Sequence, residues 1–267
     1  MKNKRVFVAG HNGMVGSSII RKLFLMGFDK ENLVTASRSE LNLTSQSETE
    51  KFFKENKIDE IYLAAAKVGG IFSNNSYPAQ FIYDNLLIQA NVIHSAFVHN
   101  VKKLLFLGSS CIYPSKAEQP LEEETLLTGE LEKTNEPYAI AKIAGLKLCE
   151  SYNRQYGKSH GLDYRSVMPT NLYGPGDNYD ADNSHVIPGL IYKFHKAKIN
   201  NDKEVIAWGT GKPKREFMHV DDLADACIAV HNMDNLSYKA LVQPQSNFIN
   251  VGSGEEISIL DLANMIR

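Results

Sequence analysis

The chain has 267 residues, with 29 Lys and Arg against 31 Asp and Glu and a formal net charge of −2 at pH 7, a balance that leaves no electrostatic footprint for nucleic acid or an anionic membrane and so points to a small-molecule partner. No apolar run approaches the roughly 20 residues of a membrane span, and the opening Met-Lys-Asn-Lys-Arg lacks a signal-peptide cleavage pattern, so a cytoplasmic location is expected. Cys111, Cys149 and Cys227 are odd in number and widely spaced, which argues against a disulfide framework or a zinc site, and no metal is expected.

Residues 5–9 form a short β-branched, apolar run that stops at Gly10, and residues 14–26 then repeat apolar side chains at helical spacing. The turn between them reads Gly10-His11-Asn12-Gly13-Met14-Val15-Gly16, a G-x-x-G-x-x-G variant of the dinucleotide fingerprint. Its glycines allow a tight turn, bring backbone amides close to a pyrophosphate and let the helix pack on the sheet. A second strand is predicted over 33–36. An NAD-binding unit usually presents an acidic residue there for the ribose hydroxyls, but this strand runs into Arg38, whose guanidinium suits a 2'-phosphate, so the expected cofactor is NADP(H). Glu40 nearby leaves room for dual use.

Helical spacing recurs over 47–56, a buried strand over 60–64, and small residues from Ala65 to Gly70 would let backbone pass close to a cofactor. Pro78 starts a long predicted helix to residue 100, with Asn85, Ile88 and Gln89 on its inner part. The next strand covers 103–107, and Gly108-Ser109-Ser110-Cys111 stands at its carboxyl end, the edge where open α/β sheets bind ligands. The βαβ alternation predicts a Rossmann-type, doubly wound parallel sheet of the α/β class.

After an acidic, irregular stretch, a helix is predicted from Pro137 to about residue 156. It carries Tyr138 and Lys142, four apart and therefore on one face. Alone, Y-x-x-x-K also describes an amphipathic helix with a core Tyr and a solvated Lys. As a site, Lys142 is expected to draw the Tyr138 pKa down towards neutrality and make it a general acid at a carbonyl oxygen. A strand over 164–168 leads into Pro169-Thr170-Asn171-Leu172, then a long polar loop ending at His185 and Pro188. Asp221 or Asp222 is expected to cap a later helix.

Gly10, Gly13 and Gly16 combined with Ser109, Tyr138 and Lys142 resemble the extended short-chain dehydrogenase/reductase superfamily, most of whose members modify nucleotide-linked sugars. Four runs extend the resemblance: Gly-Ser-Ser-Cys-Ile-Tyr-Pro from 108, Asn-Glu-Pro-Tyr-Ala-Ile-Ala-Lys-Ile-Ala-Gly from 135, Pro-Thr-Asn-Leu-Tyr-Gly-Pro from 169 and Asn-Ser-His-Val-Ile-Pro from 183. Together they are similar to the family of GDP-4-keto-6-deoxymannose 3,5-epimerase/4-reductases. The resemblance implies that Tyr138 protonates the C4 oxygen as NADPH delivers hydride, that Lys142 tunes it and holds the nicotinamide ribose, and that Ser109 binds the carbonyl. It matches Cys111 and His185 to the epimerising acid/base pair, both types being able to titrate near neutrality.

Cofactor contacts are expected from Gly10 through Gly16 and at Arg38, Ala65, Ile88 and Leu107. They continue at Gly108, Ser109, Ser110, Tyr138, Lys142, Pro169, Asn171, Leu172 and His185. The resemblance implies that Lys193, Trp208 and Arg215 lie near the diphosphate and guanosine of a GDP-linked 4-keto-6-deoxy sugar. Lys193 stands for an Arg common in the family, keeping the charge without the bidentate fork, and Asn12 stands where some members carry a basic residue. Residues 1–170, with parts of 215–250, are expected to form the NADP-binding domain. Residues 171–267 form a smaller substrate domain, expected to be incomplete because family members continue further. A homodimer through residues 81–100 and 137–156 is implied. A nucleotide-sugar epimerase/dehydratase with tightly held NAD is the alternative enzyme, disfavoured by Arg38 and the Cys111/His185 pair. A cofactor-binding module without turnover is the other alternative, disfavoured by the intact Ser109, Tyr138 and Lys142 set.

Overall fold

The computed structural model describes residues 4–180, 184–207, 209–243 and 245–267. β1 (Val6–Ala9) ends at the glycine turn and α1 (Met14–Leu25) follows it. The alternation continues through β2 (Leu33–Val34), α2 (Gln46–Glu55), which Ser45 caps by accepting from the Glu48 amide, and β3 (Glu60–Leu63). A short α3 (Ile71–Ser76) precedes α4 (Pro78–Val98), which starts on its proline. β4 (Lys103–Leu107), α5 (Glu136–His160) and β5 (Asp163–Pro169) follow. Then come β6 (Asn171–Tyr173), α6 (Val186–Asn200), β7 (Lys214–His219), α7 (Val220–Asn232), α8 (Asn235–Leu241), β8 (Ile249–Val251), β9 (Glu256–Ser258) and α9 (Ile259–Ile266).

The main sheet has the order β2-β1-β3-β4-β5-β8 with every pairing parallel. Parallel strands are covered on both faces, which is why β1, β3 and β4 are nearly continuous apolar runs. Alternate residues serve different cores. Phe7, Ile61, Leu104 and Phe106 pack with Phe53, Val92, Ile93, Leu146 and Cys149 from α2, α4 and α5. Val6, Val8, Tyr62 and Leu105 pack with Ile19, Leu23, Leu223 and Cys227 from α1 and α7 on the opposite face. β6, β7 and β9 form a second sheet, with β6 and β7 parallel and β7 and β9 antiparallel. Leu190 of α6 and Leu262 and Ala263 of α9 make a small third core beside it.

Several local expectations change. α3, α6 and α8 form where no helix is expected, β2 ends at Val34, two residues short of its expected end, and α7 is capped not by Asp221 or Asp222 but by His219, whose Nδ1 accepts from the Asp221 amide at 3.2 Å. Asp221 is committed elsewhere, accepting from Ser18 at 2.5 Å and Arg21 at 2.6 Å, and so ties α7 to α1.

At the sheet end remote from the carboxyl edge, Arg165 is 1% exposed yet fully engaged. It binds Asp163 through Nε and Nη2 at 2.8 and 2.6 Å and donates Nη1 to the Val230 and Met233 carbonyls. Beside it, Glu60 is buried against His231 Nε2 at 3.1 Å and Lys4. Burial works to raise the Glu60 pKa, but hydrogen bonds from His231 and Lys4 prevail and hold it down at about 2. Burial lowers that of His231, whose hydrogen bond to Glu60 opposes the shift. A neutral His231 donating Nε2–H to the carboxylate fits both directions, and the Lys4 ammonium supplies the countercharge.

Candidate active site

The carboxyl ends of β1, β3, β4 and β5 open into a cleft of about 1280 Å³ that α6, β7 and the start of α9 close from the other side. One drug-sized ligand typically takes ~300–1000 Å³, so the space suits two elongated molecules. Among the described residues no group of three His, Cys, Asp or Glu is placed to hold a metal ion.

Sterics govern the glycine turn. Gly10 has φ +86°, and a Cβ on it would lie 2.7 Å from the Ala65 amide nitrogen, while one on Gly16 would lie 2.2 Å from the Gly10 carbonyl oxygen. Only bare backbone fits, and α1 therefore points its amino end at the cleft, where an anion is favoured. Gly10, Gly13, Met14, Val15 and Gly16 line the cleft; His11 and Asn12, also expected as contacts, are absent from its wall. Arg38 lines it beyond β2. Glu40 folds back instead, accepting from the Ser37 amide and hydroxyl at 2.7 Å each, bonds that lower its pKa. Its carboxylate is thereby held at the turn, and the cationic side chain is the one left at the cofactor edge.

The small-residue loop after β3 is pinned from α4. Asn85 accepts from the Lys67 amide and donates to the Lys67 carbonyl, both at 2.9 Å, and Lys67 Nζ reaches Asp84 at 3.1 Å. Ala65 and Ile88 line the cleft here, as Leu107, Gly108, Ser109, Ser110 and Cys111 do after β4. From α5, Tyr138 and Lys142 enter on one face. Lys142 is 4% exposed; its ammonium donates to the Leu107 carbonyl at 2.8 Å and lies 5.7 Å from the Tyr138 ring centre.

Burial decides the electrostatics here. Lys142 is pulled down to about 8 by desolvation, with negative charge at Cys111 acting the other way. The expected fall in the Tyr138 pKa does not occur: burial drives it upward, a Cys111 charge adds to this, and only the Ser109 hydrogen bond opposes it. Cys111, expected near neutrality, is likewise pushed up to about 11 by burial, against a Ser109 hydrogen bond and the Lys142 charge. Removing water from around a phenol or a thiol penalises its anion more than one nearby cation restores. Burial therefore keeps Tyr138 and Cys111 in their protonated forms, with Ser109 acting on both in the opposite sense.

Pro169, Asn171 and Leu172 line the cleft from β5 and β6, and His185, Lys193 and Arg215 line its far side. His185 is the N-cap of α6, and Ser184 before it and Val186 and Ile187 after it line the cleft as well. Lys193 Nζ donates to the Ile206 carbonyl at 3.4 Å, and Arg215 Nη1 to the Lys214 carbonyl at 2.7 Å. Trp208 lies outside the described residues. Asn74, Thr134 and Asn135 also line the cleft, and sequence reasoning missed them; a Ser-Asn-Asn run and a loop before a helix carry no pattern that marks a binding residue.

A parallel sheet with a bare glycine turn after β1, and a Ser, Tyr and Lys set at its carboxyl edge, defines a dinucleotide-dependent epimerase or reductase, and residues 6–242 match the NAD dependent epimerase/dehydratase family, to which the chain belongs. It is 57% identical over 266 residues to a GDP-L-fucose synthase of Escherichia coli (strain K12), covering all of this chain and 81% of that protein. It is 56% identical to GDP-L-fucose synthase 1 of Arabidopsis thaliana, covering 100% of this chain and 78% of that one. Within the larger family, then, it is a member of the GDP-L-fucose synthases. Among solved structures, a GDP-mannoheptose C4 reductase from Campylobacter jejuni with NADP bound superposes with a TM-score of 0.88 at 39% identity, covering 100% of this chain and 85% of that one.

Proposed function

We propose that the chain converts GDP-4-keto-6-deoxy-D-mannose to GDP-L-fucose with NADPH, by epimerising C3 and C5 and then reducing the C4 ketone. The carrying observation is that one cleft is lined both by Ser109, Tyr138 and Lys142 and by Cys111 and His185. A plain carbonyl reductase has no use for the second pair. The fit to NADP(H) rests on the turn where a Cβ at Gly16 would meet Gly10, and on Arg38 as the charged side chain left facing the ribose edge.

In this reading Ser109 and Tyr138 donate hydrogen bonds to the C4 oxygen throughout. While a proton is absent from C3 or C5 that oxygen carries enolate charge, and the two donors stabilise it where charge develops. Cys111 and His185 serve opposite ring faces, one taking a proton and the other returning one, so each centre inverts without net proton change. Bound NADPH supplies hydride to C4. Tyr138, held neutral by burial, gives its proton to the oxygen, and the Lys142 ammonium stabilises the phenolate left behind. Lys193 and Arg215, which line the cleft, provide cations for the nucleotide diphosphate.

The cofactor unit comprises residues 1–170 with parts of 215–250, and residues 171–267 supply mainly the substrate side. The chain works in the cytoplasm as a homodimer through α4 and α5, a pairing supported by the exposure of Tyr83 and Val98 on α4 and Ile140 on α5; such an interface is symmetric. The test is NADPH oxidation with GDP-4-keto-6-deoxy-D-mannose in deuterated water. The wild type should oxidise NADPH and place deuterium at C3 and C5; Cys111→Ser should bind NADPH equally but lose exchange by on the order of 100-fold. NADPH binding with neither oxidation nor exchange would sink the proposal.

A further inference from the structure

Cys111 sits in the middle of a single 3-10 turn, Ser110–Ile112. Two backbone bonds close it, from the Ile112 amide to the Ser109 carbonyl at 3.2 Å and from the Tyr113 amide to the Ser110 carbonyl at 3.3 Å. So short a turn has poor hydrogen-bond geometry and no further helix to stiffen it. Ile112 anchors it in the core. Its flanks are less confined: a second hollow of about 440 Å³ lies behind them, and Ser110, Tyr113, Gln119 and Leu121 line that hollow as well as the cleft. The segment that carries Cys111 is therefore a partition between two open spaces. Apolar packing is non-directional, so a core anchor at Ile112 holds the turn in place without fixing which way it faces.

A directional anchor follows two residues after Cys111. Tyr113 is 5% exposed, and its hydroxyl donates to Oδ1 of Asn250 at 2.5 Å. Burial pushes the Tyr113 pKa up, so the hydroxyl keeps its proton for this bond. Asn250 is itself fully engaged, donating Nδ2 to the Leu121 carbonyl at 3.0 Å and its backbone amide to Glu123 at 2.8 Å. The Leu121 bond establishes which end of the carboxamide is oxygen. Asn250 stands on β8, in register with Met168 of β5, so the edge of the main sheet holds the turn through one side chain. It is absent from the cleft wall and can act on the chemistry there only through what it holds. Tyr138 and Lys142 are placed otherwise. They ride on the 25-residue α5, and Lys142 is fixed by the Leu107 carbonyl at 2.8 Å.

We propose that Asn250 is a positioning residue for epimerisation: by holding the Tyr113 hydroxyl it fixes the direction in which the turn presents the Cys111 thiol to the sugar ring, and it has no part in hydride transfer. The inference rests on the reading of Cys111 given above. A proton moves between sulfur and carbon only within a narrow range of distance and angle, so a turn free to pivot loses rate even with its thiol intact.

The test measures the two steps apart. Exchange is read as deuterium entering C3 and C5 of GDP-4-keto-6-deoxy-D-mannose in deuterated water with NADP+ bound, so that no reduction follows. Hydride transfer is read in reverse, as NADPH formed in a single turnover from GDP-L-fucose and NADP+, a step that moves no proton at C3 or C5. Asn250→Ala and Tyr113→Phe should each lower exchange by about 10- to 100-fold and leave hydride transfer within about 3-fold of wild type. Because both remove the same hydrogen bond, the double variant should lose no more than about 3-fold beyond the slower single variant. If Asn250→Ala does not fold, Tyr113→Phe, which deletes one oxygen, decides. Exchange at the wild-type rate in a folded variant overturns the proposal while Cys111→Ser still loses it. Additive losses in the double variant overturn it too, as does an equal loss of exchange and hydride transfer, the mark of a bond that merely supports the fold. A wild type without exchange, or a Cys111→Ser variant that exchanges normally, would overturn the functional reading and this proposal together.

Discussion

Replacing Lys142 by Met should make the protein more stable at neutral pH while disabling it. The lysine is 4% exposed and held at about 8 instead of 10.5, mainly by burial, so keeping it charged in the fold costs about 3 kcal/mol relative to the unfolded chain. Met fills a similar volume without that cost. It also strands the Leu107 carbonyl, which accepts from Nζ at 2.8 Å, a loss of about 1 kcal/mol, and the net expectation at pH 7 is a gain of about 2 kcal/mol. The pH dependence carries the diagnosis. Between about 8 and 10.5 the unfolded lysine binds more protons than the folded one, so wild-type stability rises with pH across that window and the advantage of the variant fades. Urea unfolding of both proteins at pH 7 and pH 10, without nucleotide, measures the difference. A variant less stable than wild type by the same amount at both pH values would refute the reasoning.

Arg38→Ala should lower the preference for NADPH over NADH by about 10- to 100-fold through loss of a charge-assisted contact to the 2'-phosphate, with NADH binding little changed; Kd values for both nucleotides check this. Glu60→Gln should cost on the order of 3 kcal/mol at pH 7. Because the Glu60 pKa is depressed to about 2 in the fold, its contribution is present above the unfolded value and is lost as pH falls from about 4.5 through 2. Acid titrations of stability should therefore converge for the two proteins at the low end.

Much of the frame was legible because it rests on period and punctuation. β4 occupies the same residues, Lys103–Leu107, that its apolar run predicts, and α1 and α4 start at the glycine turn and at Pro78 as expected. α3 is six residues long, shorter than a window in which helical period can register. α6 hides because the partners of its apolar face, Leu262 and Ala263, lie some seventy residues further on. In the site, spacing brings Tyr138 and Lys142 together, but it cannot report desolvation. The sign of the Tyr138 and Cys111 shifts depends on how much water the fold removes, a property of tertiary packing that no residue pattern encodes. Asn74 and Asn135, which line the cleft, are illegible for a simpler reason: a Ser-Asn-Asn run and a loop before a helix carry no pattern that marks a lining residue.

Shared burial also ties the two half-reactions together. Charge on Lys142 favours the Cys111 thiolate, and charge on Cys111 favours the Lys142 ammonium, so each ion is bearable in this cleft chiefly beside the other. If Cys111 exchanges its proton in the epimerisation, as proposed, that step depends on Lys142 as the proposed reduction does. Two variants separate this from independent machinery. Tyr138→Phe removes the proton donor at C4 and should abolish NADPH oxidation while leaving deuterium exchange at C3 and C5 within about 10-fold, because Ser109 still binds the oxygen. Lys142→Met should depress exchange and oxidation together, each by on the order of 100-fold, since it withdraws the countercharge from the thiolate as well as from the phenolate. Exchange at the wild-type rate in a folded Lys142→Met protein would show that Cys111 gives and takes its proton without the lysine.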